Sequence, residues 1–280
     1  MPVQYKGAHG ASRRWSLSPL FVGVMAAILA VGGVITDAQP TDASSRKVVI
    51  VVGPTSGSTD SYRSTARDIA RQARSYGANV VEVYSPYATW RRVKQAAKGA
   101  HLFVYLGHGN GWPSQYAPNQ QLTKNGLGLN SSAGRGDGNT KYYGAYYVKR
   151  GLQLSRGAVV LIIGACYAAG NSEGSKPTYS SSTARQRVDN YGAGFLRAGA
   201  SAVIADSISG ADYILKGLFR STKTMRQIFW SSPRTTKRWD VTVNGKQSPN
   251  WAKGILDPHQ RYQYMRSIIG DLDYGAASWR

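Results

Sequence analysis

Short, unbroken apolar runs rich in β-branched residues constrain the fold of this chain more than any other feature. The clearest are Lys47–Val52, 101–106 and Ala158–Ile163. A strand with one face in solvent alternates apolar and polar residues, whereas a strand without that alternation is covered on both faces, as in parallel sheets. The runs therefore predict a sheet that lies inside the molecule.

Amphipathic segments and further strands fill the intervals between these runs. Apolar and small residues recur at helical spacing over 61–76, with arginines at many other positions, and 89–98 has the pattern of a second basic helix. We also expect a strand at Asn79–Tyr84, a helix at 183–196 and a strand at 202–206. The alternation predicts an α/β fold, with an open, mainly parallel sheet and helices on both of its faces.

Composition divides the chain into four predicted segments. Residues 1–38 are typical of an export signal, or of an N-terminal membrane anchor if uncleaved, because a basic start precedes an apolar stretch and small residues flank a cut after Ala38. A linker follows at 39–46, and the α/β domain is expected at 47–215. The last segment, 216–280, is a basic, aromatic-rich extension.

The C-terminal extension allows two interpretations. Its cations alternate with tryptophans and tyrosines, a composition that can stack on bases or sugars and pair with phosphates. The alternative, which we favour, is a closing helix at 211–231 followed by a small extension that packs its tryptophans on the sheet.

Charge and cysteine content restrict the partners. The 280 residues include 35 Lys and Arg against 14 Asp and Glu, a net charge of +21. Such a surface attracts polyanions, so an anionic cell-envelope polymer is a candidate partner and nucleic acid a weaker one. Cys166 is the one cysteine. It has no partner for an internal disulfide, and we expect no disulfide-linked partner protein and no cysteine-based zinc site.

Two of the buried strands are followed at once by reactive side chains. His108 lies between two glycines after one run, and Cys166 follows Gly164 and Ala165 after another. Ligands of open α/β sheets bind at the carboxyl ends of the strands, and a thiol there becomes a nucleophile if an imidazole takes its proton. Taken singly, the cysteine could instead be a small core residue and the histidine an ordinary polar residue. Their joint placement favours catalysis.

These two blocks resemble a known family. A hydrophobic strand with His108-Gly109 and a hydrophobic strand with Ala165-Cys166 are similar to the signature blocks of the caspase-like cysteine peptidases, which include caspases, metacaspases, legumains, gingipains and clostripains. The resemblance covers about 47–213. Papain-type enzymes are disfavoured, because they place the cysteine first in the chain.

The resemblance implies a mechanism and a set of site residues. Cys166 would attack a peptide carbonyl, with His108 as general acid and base. The backbone N–H groups of Gly109 and Cys166 would form the oxyanion hole. Protein or peptide substrates are implied, and neither a cofactor nor a metal is expected.

Substrate preference depends on residues that flank the site. The family often draws its primary pocket from the loop after the first strand, where Asp60 would favour Arg or Lys before the cut and Arg63 would favour an acidic residue. We expect a preference for Arg or Lys before the cut rather than for an acidic residue. Asp206, at the end of a later strand, is a second candidate wall residue. The alternative for Asp60 is a structural role as the N-cap of the first helix.

A rival function stays open alongside the exported cysteine endopeptidase. The same scaffold could be catalytically idle and act as a basic secreted binding protein for anionic envelope polymers or nucleic acid.

Overall fold

The computed structural model describes residues 45–114, 120–171 and 180–280. The predicted export signal and most of the linker lie outside these residues. The strands are β1 (Lys47–Val52), β2 (Asn79–Tyr84), β3 (Leu102–Leu106), β4 (Gly109–Asn110), β5 (Gly126–Asn130), β6 (Thr140–Tyr143), β7 (Ala158–Ile163), β8 (Ala200–Asp206), β9 (Val241–Asn244), β10 (Lys253–Leu256) and β11 (Arg266–Gly270). The helices are α1 (Thr59–Ser75), α2 (Trp90–Ala97), α3 (Ala145–Gly151), α4 (Ser181–Arg197), α5 (Asp212–Arg220), α6 (Met225–Trp230) and α7 (Ala276–Trp279).

An 8-stranded sheet in the order β2-β1-β3-β7-β8-β11-β10-β9 forms the centre of the fold. Strands β2, β1, β3, β7 and β8 are parallel. Strand β11 joins β8 in the antiparallel direction, and β10 and β9 continue antiparallel. The predicted open, mainly parallel α/β sheet is thereby confirmed.

Helices cover both faces of this sheet, which explains why β3 and β7 at its centre are buried at every position and contain no charged residue. Alternate residues of β1 enter two separate cores, Val48 and Ile50 on one face and Val49 and Val51 on the other. Helices α1, α5, α6 and α7 complete the first core, and α2, α3 and α4 complete the second. Full burial of one such side chain contributes about 1.5–3 kcal/mol. None of the helices in the described ranges is long and apolar enough to cross a membrane.

A small 3-stranded sheet, β4-β5-β6, lies within a stretch whose glycines are typical of loops. Glycine alternates with leucine in β5, and the glycine positions face neighbouring backbone. A Cβ at Gly126 would lie 2.0 Å from the Tyr143 carbonyl oxygen. The glycines therefore permit close strand contact here.

The C-terminal extension adds its strands to the main sheet. Strands β9, β10 and β11 continue the sheet beyond β8. The single helix expected at 211–231 is instead two helices, α5 and α6. The chain is extended at Ser221, and α6 restarts from a capping box in which Thr224 and Gln227 exchange hydrogen bonds with each other's backbone N–H groups.

A buried ionic cluster joins this extension to the end of β8. Arg266 is fully buried, and its Nε donates to Asp206 Oδ2 at 2.8 Å, while its Nη1 pairs with Asp257. Its remaining Nη2 donates to the Phe229 carbonyl oxygen at 2.8 Å. Burial lowers the pKa of Arg266, but the phenol of Tyr213 and the carboxylate of Asp206 together outweigh burial, so the pKa is raised. The guanidinium therefore remains charged at any pH at which the protein folds.

Replacing this arginine should destabilise the fold severely. In Arg266→Leu two buried carboxylates lose their counter-ion, and the free energy of unfolding should fall by about 3–5 kcal/mol. Urea denaturation followed by tryptophan fluorescence measures the change. The exposed Arg261 is the matched control, and Arg261→Leu should change stability by less than about 0.5 kcal/mol. Equal effects of the two substitutions would contradict a structural role for the cluster.

Candidate active site

The loops that follow β3 and β7 meet at one edge of the central sheet. The two strands are neighbours, with Leu106 opposite Ile163, so His108 and Cys166 both lie just beyond the same carboxyl edge. A Cβ added to Gly109 would lie 2.3 Å from the Cys166 carbonyl oxygen and 3.0 Å from the Cys166 nitrogen. The backbone beside the histidine is therefore packed against the backbone of the cysteine.

The backbone of His108 is held by hydrogen bonds while its side chain stays exposed. Its carbonyl oxygen accepts from the Gly128 N–H at 2.9 Å, and the Tyr105 hydroxyl lies 2.7 Å away. The same hydroxyl lies 2.8 Å from the Gly128 carbonyl oxygen, and Tyr105 is fully buried. Burial raises the pKa of Tyr105 well above its ordinary value, so the phenol remains a donor. Strand β5 thus fixes the loop that presents the imidazole.

Cys166 occupies a strained turn. Gly164 and the non-glycine residue Tyr167 both have φ of 71°, in the left-handed region. A side chain there costs about 1–2 kcal/mol, so surrounding contacts must compensate. The Tyr167 hydroxyl lies 2.8 Å from Ser114 Oγ, and a Cβ at Gly111 would overlap the Tyr167 side chain at 2.2 Å. The turn leaves Cys166 half-buried.

Helix α4 contacts both loops through a buried arginine. Arg187 is 2% exposed, and its Nε donates to the Pro113 carbonyl oxygen at 2.8 Å. Its Nη1 donates to the Asn171 carbonyl oxygen at 3.0 Å, and its guanidinium carbon lies 5.0 Å from the centre of the Tyr167 ring. One side chain therefore contacts both the segment after His108 and the segment after Cys166.

Tyr62 of α1 lies near the cysteine, on the face of the sheet opposite to α4. Its hydroxyl stands where a side chain at Gly164 would be, 2.1 Å from the position of an added Cβ. Burial raises the pKa of Tyr62, and the nearby Cys166 raises it further. The phenol is therefore protonated at neutral pH and can donate a hydrogen bond beside the thiol. The sequence did not identify Tyr62 as a site residue, although it lies one helical turn before the first residue of the apolar face of α1.

The two predicted specificity residues differ in environment. Asp60 lies in the first turn of α1 with its side chain 90% exposed, paired with Arg63 at 2.8 Å. The N-cap position belongs to Ser58, so Asp60 is not the cap. Asp206 is fully buried and accepts from Arg266, from the Tyr213 hydroxyl and from backbone N–H groups. Its oxygens are committed to the fold, which removes it from the candidate pocket.

The described ranges hold no group of three or more His, Cys, Asp or Glu side chains that could bind a metal ion. The chemistry available at this edge is that of an accessible imidazole, a half-buried thiol and adjoining backbone N–H groups.

Comparison with known proteins gives two structural matches. No family model matches the chain, and no curated protein matches it. Gingipain R, an Arg-specific cysteine proteinase, matches at 18% identity and a TM-score of 0.37, over 62% of this chain and 36% of the gingipain chain. A secreted C11 cysteine protease from Bacteroides thetaiotaomicron matches at 11% identity and a TM-score of 0.38, over 76% of this chain and 66% of that one.

Both matched proteins are cysteine proteases, and a gingipain is a member of the superfamily that the sequence blocks resemble. The chain spans about a third of one and about two thirds of the other. At these identities and TM-scores the likeness says nothing about activity.

A side chain at position 109 should separate the two loops. Gly109→Ala introduces a Cβ against the Cys166 backbone, and overpacking of this kind costs about 1–3 kcal/mol of stability. We expect a lower melting temperature together with a changed rate of Cys166 alkylation by iodoacetamide. Gly136→Ala is the control, since an added Cβ there meets nothing within 4 Å. If both variants behave like the wild type, the close approach at Gly109 is wrong.

Proposed function

We propose that this protein is an exported cysteine endopeptidase that hydrolyses peptide bonds with His108 and Cys166. The observation that carries the proposal is the backbone contact between Gly109 and Cys166, because it brings the loops of imidazole and thiol together at the strand edge. The exposed imidazole and the half-buried thiol are both open to a substrate from solvent. Export rests on the signal-like layout of residues 1–38.

The proposed reaction proceeds in two stages. His108 takes the proton of the Cys166 thiol, and the thiolate attacks the scissile carbonyl carbon to give a tetrahedral oxyanion. The N–H groups of Gly109 and Cys166 donate to that oxygen, and each such donor contributes about 10²–10³ in rate. The C–N bond then breaks as His108 protonates the leaving amine. Water, deprotonated by the same imidazole, hydrolyses the thioester and releases the acid.

Removing the sulfur should abolish cleavage without unfolding the protein. Cys166→Ser should lower kcat/KM on fluorogenic peptides by at least about 10⁴-fold, because the hydroxyl is a far weaker nucleophile here. Iodoacetamide should inactivate the wild type to the same extent. Circular dichroism checks that the variant is folded.

The histidine has a matched control in the same chain. His108→Ala should also lose activity, whereas His259→Ala, at an exposed position in the C-terminal extension, should keep it. Cleavage that persists in Cys166→Ser would contradict the proposal. A wild type that is folded, alkylated at Cys166 and inert on all peptides would favour the idle binding scaffold.

We also propose that the enzyme prefers Arg or Lys before the cut, with Asp60 as the attracting charge. The proposal is supported by Tyr62, which brings the first turn of α1 against the turn that carries Cys166, because Asp60 belongs to that first turn. The adjacent Arg63 is paired with Asp60 at 2.8 Å and partly offsets its charge. A basic substrate side chain would compete with Arg63 for the carboxylate.

Removing the charge of Asp60 should change the preference for the residue before the cut modestly. Asp60→Asn should reduce kcat/KM for Arg and Lys peptides by about three- to fivefold, the scale of one solvent-exposed ion pair, and improve cleavage after acidic residues. Asp68→Asn is the matched control, since Asp68 forms an equivalent exposed pair with Arg71 further along α1. Equal kinetics of the two variants would remove Asp60 from the specificity site.

A further inference from the structure

A polar groove follows one face of α4, outside the candidate active site. It consists of two cavities of about 340 and 460 Å³ that share Gln186, Asn190 and Gln247 in their walls. Residues of α4 spaced by three and four positions line it along most of the helix. Such a continuous groove is long enough for several units of a linear polymer rather than a single small molecule.

The groove is strongly basic. Its cationic lining residues are Lys124, Lys149, Arg185, Arg197 and Lys246. The carboxylate in its wall is that of Asp189, which is buried and accepts from the backbone N–H groups of Lys246, Gln247 and Ser248 at 2.7, 2.8 and 2.9 Å. None of the ion pairs among the described residues involves one of the lining cations. An anionic ligand therefore meets uncompensated positive charge.

Amide side chains supply neutral hydrogen-bonding groups between the cations. Gln121, Gln186 and Gln247 are exposed, and none of their side-chain amides is hydrogen-bonded to another residue of the described ranges. An amide offers both a donor and an acceptor, which matches a sugar hydroxyl. Phosphate oxygens need donors alone, so cations would suffice for a simple polyphosphate.

Two aromatic residues line the groove, Trp112 and Tyr146, and the ring of the more exposed one, Tyr146, is partly covered, which disfavours base stacking on it. Tyr146 is 42% exposed, but the guanidinium carbon of Arg150 lies 4.1 Å from the centre of its ring. The edge of the ring of Tyr147 packs against Tyr146 as well, with centroids 5.5 Å apart. Single-stranded nucleic acid gains much of its affinity from free aromatic faces. At Tyr146 the groove therefore presents the positive charge of Arg150 in place of a free aromatic face.

We propose that this groove binds an acidic polysaccharide, with its cations paired to the carboxylates of the polymer and its glutamines bonded to the sugar hydroxyls. Trp112, four residues beyond His108, lines the groove, and the Asn190 side-chain amide donates to the Trp112 carbonyl oxygen at 2.9 Å. A bound polymer would therefore tether the protein with its candidate active site close by. Binding does not depend on peptidase activity.

The test measures affinity for oligogalacturonate by titration calorimetry on the wild-type protein at an ionic strength of about 0.15 M, where exposed charges more than about 8 Å apart are largely screened. Lys149→Gln with Arg197→Gln should weaken binding at least about tenfold, because two charge-assisted contacts are lost. Arg67→Gln with Lys216→Gln removes the same charge from exposed positions on the opposite face of the sheet. That pair should weaken binding less than about twofold.

A second pair of variants separates glycan recognition from simple charge. Gln186→Ala with Gln247→Ala leaves the net charge unchanged, so it should weaken oligogalacturonate binding severalfold and leave polyphosphate binding as it was. Absence of oligogalacturonate binding, equal losses in the two charge variants, or equal binding of neutral dextran would overturn the proposal. Tighter binding of an oligodeoxythymidylate of equal charge would assign the groove to nucleic acid instead.

Discussion

The contact between the backbones of Gly109 and Cys166 is the constraint on which the rest of the site depends. It exists because β3 and β7 are neighbours in the sheet, and because position 109 has no side chain to keep the following loops apart. A parallel sheet presents all its strand ends at one edge, but only adjacent strands bring their loops into atomic contact. Any arrangement with a strand between β3 and β7 would separate the imidazole from the thiol.

Buried polar side chains hold this contact in place. Tyr105 fixes the carbonyl group of His108, and Arg187 contacts the chain after each of the two reactive residues. These groups lose hydration on folding, and the left-handed backbone at Tyr167 adds strain, so the site is assembled at a cost that the apolar cores of the sheet must offset. The ionic cluster around Arg266 also loses hydration on folding. It joins the end of β8 to the antiparallel strands of the sheet.

The sequence was informative where one local pattern determines structure and uninformative where distant segments meet. Unbroken apolar strands predicted the parallel sheet and put His108 and Cys166 at its edge. Glycine in β5 concealed a strand, because only the structure reveals that Tyr143 packs against it. Asp206 looked like a pocket residue because its partner Arg266 lies 60 positions away. Tyr62 and Arg187 act through contacts that no short motif records.

The arginines of α1 and the cations along α4 differ in whether they are paired with carboxylates. On α1, Arg63, Arg71 and Arg74 each lie against a carboxylate, so much of that helix's charge is internally compensated. The groove along α4 has its one carboxylate turned inward to backbone N–H groups, which leaves its cations to solvent. Net charge is a sum over both faces, whereas the electrostatic field that attracts a polyanion depends on the unpaired cations. A long anionic ligand that lies along α4 therefore meets cations that form no ion pair within the described residues.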